Sequence, residues 1–246
     1  MKNELNFNFP EPLIEGVIQS RPNRFIMFVK IGNKTVKTHC PSTGRIGNIT
    51  FKNIPCLLSI SNNPKRKTQH TVEAISLDPV SRKNKKWIGI NQVRTNAVVE
   101  YFIRAGLLNK LFNSRNLSIK REVTLGNSRI DFLVNKTYLE VKTPLNIMPV
   151  SRLSPKKEVL FNSFERIIKH FGDLSESLTG SRRAVLAMCY FYDAPKFKPP
   201  ATDKYNSEIK KAAFAARDRG VENWQINFRI NKHGVSLSKY FKLSLA

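Results

Sequence analysis

The chain has 246 residues, with 42 Lys and Arg against 18 Asp and Glu, a formal net charge of +24 and a sequence pI near 10.3. That length holds one large domain or two ordinary ones, with apolar material enough for a core, so nothing in its size demands metal or disulfide support. Charge of this sign and size points to polyanions, nucleic acid first because counterion release binds phosphates without reading sequence; no apolar run of about 18 residues and no long basic amphipathic helix speaks for a membrane.

From Leu13 to about Ile60 the chain reads as short strands broken by turns: "LIEGVIQS", then "RFIMFVKIGNKTVKTHC" with Gly32-Asn33 as a hairpin turn, then the tight loop "PSTGRIGN". Several short strands in this span predict a small β-barrel. Arg21, Arg24, Lys37 and Arg45 on its surface suit contact with a nucleic-acid backbone. His39 beside Cys40 is no metal pair, because neighbours on a strand face opposite ways; it reads as a loop-proximal nucleic-acid contact or a packed side chain. "DPVSRKNKKWIGIN" turns polar and basic, and a domain boundary is expected near residue 82, giving a barrel over 1–82 and a second domain over 83–246.

In the second domain, Ala97, Val98, Tyr101, Phe102, Ala105 and Leu108 carry helical spacing over Asn96 to Phe112, with Gly106 ending or bending the helix. Strands follow from Ile119. After Thr143-Pro144 a loop rich in Pro, Ser and Lys leads to the helical "EVLFNSFERIIKHFGDL", expected to close at Gly172. "RRAVLAMCYFY" is a continuous apolar run of buried-strand length, "DKYNSEIKKAAFAARDRG" is an Ala-rich helix, and "VENWQINFRIN" and "GVSLSKYFKLSL" alternate as strands. The order of elements describes a mixed α/β domain.

Chemistry concentrates in "GNSRIDFLVNKTYLEVKT", Gly126 to Thr143. Ile130, Phe132 and Val134 alternate with Arg129, Asp131 and Leu133, and Leu139 and Val141 with Tyr138, Glu140 and Lys142. A two-residue turn at Asn135-Lys136 pairs Leu133 with Tyr138 and sets Asp131 opposite Glu140, Cβ atoms about 5 Å apart. Like charges so placed repel unless a cation lies between them. A divalent metal with oxygen ligands supplies one reading, with Lys142 beside it to hold or deprotonate a water. A solvated lattice of Asp131, Glu140, Lys142 and Arg129 supplies the other. Arg129 either clamps a phosphate bidentately or stabilises Glu140. Glu100, one turn beyond Asn96, is a third acid for the site or a surface charge; Glu122 joins that side or makes a ladder ion pair. Lys169 and His170 contact phosphate or simply occupy the surface of their helix.

Cys40, Cys56 and Cys189 form neither a disulfide framework nor a zinc spacing. "MKNELNFNFPEPL" lacks the basic and apolar regions of a signal peptide, and a cytoplasmic location is expected.

Five separated stretches, "RPNRFIMFVKIGNKTVKTHCPSTGRIGNI", "SNNPKRKTQHTVEAI", "REVTLGNSRIDFLV" with "YLEVKT", "RIIKHFGDL" and "RGVENW", resemble in order the sugar fermentation stimulation protein A (SfsA) family. The resemblance implies an N-terminal OB-type barrel followed by a domain similar to the PD-(D/E)XK nucleases. It implies sequence-nonspecific DNA binding, with RNA as a second candidate, and Mg²⁺ or Mn²⁺ held by Asp131 and Glu140 beside Lys142, with Glu100 as a further candidate ligand; Arg129, by its place next to both acids, is expected at the reacting phosphate. A non-catalytic regulator of sugar metabolism, notably of maltose, is the alternative it leaves open. The chain departs from the family pattern after Glu-Val-Lys. There "TPLNIMPVSRLSPKKEVLFNSFERIIKHF" keeps Arg166, Lys169 and His170 but lacks the Phe-Pro-Asp-Ala segment and a glycine.

Overall fold

A computed structural model describes residues 5–42, 46–47, 49–112, 114, 116–145, 164–198 and 207–244, with side chains left out for 164–167. In chain order the elements are β1 (Asn6–Asn8), β2 (Ile14–Ser20), β3 (Ile26–Ile31), β4 (Lys34–His39), β5 (Ile54–Ile60), β6 (His70–Ser76) and β7 (Trp87–Gly89). Then come α1 (Thr95–Arg104), α2 (Asn109–Phe112), β8 (Ile119–Leu125), β9 (Ser128–Val134), β10 (Thr137–Lys142), α3 (Phe164–Glu176), β11 (Arg183–Tyr190), α4 (Ser207–Asp218), β12 (Glu222–Ile230) and β13 (Gly234–Lys242).

The first sheet runs β4-β3-β2-β5-β6-β7 and is closed by a short parallel pairing of β4 with β6, Thr38 against His70 and His39 against Thr71. Closure removes the exposed edges that an open antiparallel sheet would present. Ile18, Met27, Val29, Cys56, Leu58, Val72 and Ile75 fill the interior, the inward half of each alternating strand. The expected boundary at 82 falls between β6 and β7, and β7 pairs with β6, so the barrel sheet runs to Gly89.

The second sheet runs β1-β13-β12-β11-β10-β9-β8, with β11 parallel to both β10 and β12. Strand β11 is central, and its uninterrupted apolar run follows from burial on both faces. Val185, Ala187 and Cys189 meet α1 through Val98, Val99 and Phe102; Ala184 and Leu186 meet α3 and α4 through Phe171, Leu174 and Ala216. Helix α1 ends at Arg104, and Gly106 takes the left-handed φ of 71° that releases the chain into α2. Helix α3, expected to stop at Gly172, continues to Glu176. Strand β1, from the N-terminal segment, pairs with β13 in this sheet rather than with the barrel.

One alternation departs from the sequence reading. Phe132 and Val134 pack toward α1, but Ile130, two residues earlier, packs toward α3. The neighbouring strand turns over at the same level: Ile119 packs on the α1 side, Val123 and Leu125 on the α3 side, and Glu122 between them has a φ of 53°. A non-glycine residue in the left-handed region rotates the strand, which exchanges the two faces of the sheet and leaves Asp131 at the crossover.

Three cysteines among the described residues are buried and free. No helix among them is long and apolar enough to cross a membrane.

Candidate metal and phosphate site

The hairpin has the expected register. Val134 opposes Thr137, Leu133 opposes Tyr138 and Phe132 opposes Leu139, with Asn135 at a φ of 53° in the turn. One step further the ladder gives way to side chains. The Val141 amide donates to Asp131 Oδ2 at 2.8 Å, and the Asp131 amide lies 3.4 Å from Glu140 Oε2. Each carboxylate thus takes up a backbone donor of the opposite strand.

Around this crossing four further groups converge. Asn96 Nδ2, from the first turn of α1, donates to Asp131 Oδ1 at 2.7 Å. Lys142 Nζ and His170 Nδ1 both lie 2.6 Å from Glu140 Oε1, the lysine from the same strand face and the histidine from α3. Thr143 closes the end of β10 against α1, its hydroxyl 3.0 Å from that of Thr95 and its carbonyl accepting from Gln92 at 2.8 Å.

Electrostatics separates the two acids. Burial, and then the negative charge of Glu140, raise Asp131 above the ordinary carboxylate range; the bonds from Val141 and Asn96 offset this only in part. Glu140 is just 2% exposed, and burial pushes it up, but His170 and Lys142 together hold it below its usual value. The Asp131 charge also reaches Cys189, whose thiol is raised by burial first and by that charge second. A carboxylate held at a raised value by a like charge is a place where added positive charge is favourable. Hard oxygen ligands suit a hard cation, and one or two carboxylates are the usual protein share around Mg²⁺. Among the described residues no third His, Cys, Asp or Glu joins the pair as a metal cluster.

The other candidates fall elsewhere. Glu100 accepts from Arg104 at 2.6 Å and faces Arg121 at 3.4 Å, a surface ion-pair group rather than a third ligand of the pair. Arg129 is 70% exposed and pairs with Glu122 at 3.0 Å, away from Glu140, because the strand turns over between them. His170, expected to contact phosphate or to occupy the helix surface, is buried on Glu140; it lies one turn from Leu174 on the stripe that packs against the sheet, and that spacing is the signal which marks it. Lys169 is exposed. Asn96 carried no sequence signal beyond its place one turn before Glu100. On the barrel, Arg24 and Lys37 are exposed, and Arg21 donates to the Ser42 and Arg24 carbonyls and lies over Phe51. His39 is half-buried, lowered by burial and then by Arg66. Arg45 and the segment after Leu145 that departs from the family pattern lie outside the described residues.

A closed barrel of this topology joined to a mixed α/β domain with a paired-acid and lysine site defines a two-domain class, OB barrel first. Residues 20–90 match the SfsA N-terminal OB domain, and residues 93–234 match the sugar fermentation stimulation protein RE domain. The chain belongs to the sugar fermentation stimulation protein family. It is 33% identical over 244 residues to a sugar fermentation stimulation protein homolog of Synechocystis sp., covering 94% of this chain and 96% of that one. Identity to the homolog of Clostridium novyi is 41% over 210 residues, covering 82% and 84%. The fold is that of Pyrococcus furiosus SfsA, solved in complex with Ca²⁺, at a TM-score of 0.74 and 20% identity over 98% of this chain and 99% of that one.

Proposed function

We propose that this protein binds nucleic acid without sequence preference and that its α/β domain carries a phosphodiester-cleaving site of PD-(D/E)XK type, dependent on Mg²⁺ or Mn²⁺. The observation that carries the reading is the coupling of Asp131 to Glu140 with Lys142 bonded to the latter. Asp131 and Glu140 would hold the cation, which supplies charge neutralisation and Lewis acidity toward a phosphate when bound. Lys142 orients a water and holds a proton donor at Glu140. His170 fixes the Glu140 carboxylate from behind, and Asn96 does the same for Asp131. That a relative of the same fold was solved with Ca²⁺, another oxygen-seeking cation, supports the choice of ion class.

A second reading has its own support: Asn96, Val141, Lys142 and His170 already donate to the two carboxylates, a network that is satisfied without a metal ion. On that reading the domain keeps its fold and binds without cutting, as a regulatory protein linked to sugar metabolism. Chemical denaturation with and without Mn²⁺ separates the two, needing no substrate. A real site adds about 2.7 kcal/mol at metal concentrations a hundredfold above the dissociation constant, and Asp131→Asn abolishes the gain. Cleavage of a labelled oligonucleotide should then require the metal and fall about a hundredfold or more in Lys142→Ala. No stabilisation of the parent at millimolar Mn²⁺ excludes a tight metal site and leaves the binding protein.

A further inference from the structure

The barrel has two outer surfaces of different character. Strands β5 and β6 present Leu57 and Ala74 to the α/β core, and Glu73, buried beneath Arg94, bonds Ser59 and Asn91 there as well. That side is covered. Strands β3 and β4 turn their outer face to solvent, and its residues are set by register: Ile26 beside His39, Phe28 beside Lys37, Lys30 beside Thr35. On the far flank Ser20 of β2 opposes Phe28.

Phe28 stands at the centre of this face and is 38% exposed, although its neighbours Met27 and Val29 are fully buried in the barrel. One exposed phenyl ring at mid-strand needs no explanation by itself; its surroundings are what make it a candidate for contact. What surrounds it says what kind. Lys37 is its direct cross-strand partner, with Cβ atoms about 5 Å away. Lys30 shares its strand face, and His39 lies diagonal to it beside Arg66. From Ile14 to Ser76 the sequence holds two acids, Glu15 and Glu73. Both are committed elsewhere, Glu15 to Lys85 and Lys232 and Glu73 to Arg94. Among the described residues of strands β2 to β6, the face around Phe28 therefore carries an aromatic ring, several cations and no uncommitted carboxylate.

We infer that this face is a stacking platform for an unpaired nucleic-acid strand: a base lies on Phe28 while Lys37 and Lys30 hold the flanking phosphates. The inference rests on the nucleic-acid reading above and makes it more specific. A flat ring offers nothing to a duplex, whose bases are already stacked, whereas every unpaired base has a face to give. Lysines alone would bind either form through the backbone. Phe28 is what distinguishes the two.

The test is fluorescence anisotropy of the full chain, without divalent metal, on a labelled single-stranded DNA, its duplex and the RNA of the same sequence. Phe28→Ala should weaken single-strand binding about tenfold or more and leave duplex binding unchanged, while Phe28→Trp keeps the affinity and its added emission is quenched by the single strand. Lys37→Ala should weaken both forms and lower the salt slope by about one. Parallel losses on DNA and RNA identify an unpaired strand of either sugar; a loss confined to one assigns that sugar. Equal losses on duplex and single strand in Phe28→Ala, or none on either, overturn the platform. If the parent binds none of the three, the nucleic-acid reading itself fails and the platform with it. Because metal is absent throughout, failure of the cleavage site leaves this result untouched.

Discussion

Asp131 and Glu140 share one crossing of two strands yet respond to it in opposite directions, and linkage turns that difference into a pH dependence. Asp131 is raised from 3.8, so the unfolded chain gives up this proton more readily; its ionisation costs stability as pH rises through that range. Glu140 is lowered from 4.5; its contribution is complete above that value and is lost as pH falls through its folded value. Asp131→Asn removes the repulsion but turns one amide N–H toward the Asn96 or Val141 donor. It should stay within about 1 kcal/mol of the parent at neutral pH, and the loss of stability that accompanies Asp131 ionisation should disappear. Glu140→Gln takes the negative charge from the oxygen that Lys142 and His170 share and should cost about 2 kcal/mol at neutral pH, the deficit shrinking in acid. Urea titrations of the three proteins from pH 3 to 8 read both effects. The two acids and the lysine were legible because a two-residue turn fixes register. Asn96 was not, because it arrives from a helix whose docking no local pattern encodes; the spacing of His170 to Leu174 marks it as inward-facing, but its partner Glu140 is set by how α3 docks.

At the scale of elements, the sequence misled where one residue outweighed a pattern. Period-two alternation put Ile130, Phe132 and Val134 on one face, and it also drew Arg129 toward the acids. The left-handed φ at Glu122 turns both outer strands over and defeats that reading. Gly172 misled in the opposite sense: glycine marks a helix end only when the chain uses its freedom, and here the helix passes through it. An added Cβ at Gly172 meets nothing within 4 Å, so Gly172→Ala should stabilise by about 0.5–1 kcal/mol. Gly234 is the contrast. A Cβ there would collide with the Phe7 carbonyl oxygen and sit 3.1 Å from Asn8 Cα, where β1 crosses onto β13. Gly234→Ala must push β1 off the sheet and should cost about 1–3 kcal/mol. Denaturation midpoints of the two variants against the parent check both signs, and equal shifts would mean that β1 is not held against β13.

Across the whole molecule, charge and architecture divide the work. Among the described residues the α/β domain holds acids in ion pairs, Glu222 with Arg183 and Lys242, Glu100 with Arg104 and Arg121, Glu140 with Lys142, and with 42 Lys and Arg against 18 Asp and Glu such pairing leaves the net charge of +24 standing. The two domains meet through Glu73 and Arg94 and through the Gly89 amide, which donates to the Phe191 carbonyl, so the barrel and the acid pair belong to one continuous body. Composition alone made the electrostatic footprint legible, since +24 is a property of the sequence whatever its fold. It could not say which face is covered, because that depends on how the barrel docks. A basic surface that binds through counterion release has a definite signature: if about six phosphates are neutralised, affinity for a duplex should fall on the order of a thousandfold between about 50 and 200 mM salt. Two unrelated duplexes should give the same slope and the same intercept, since phosphate contacts carry no base identity. The single strand should fall less steeply, because its lower charge density releases fewer ions per contact and because stacking on Phe28 is insensitive to salt. A salt titration of all three ligands makes the comparison. A flat dependence on the duplexes, or a large difference between them, would show that binding is carried by something other than the net charge of this chain.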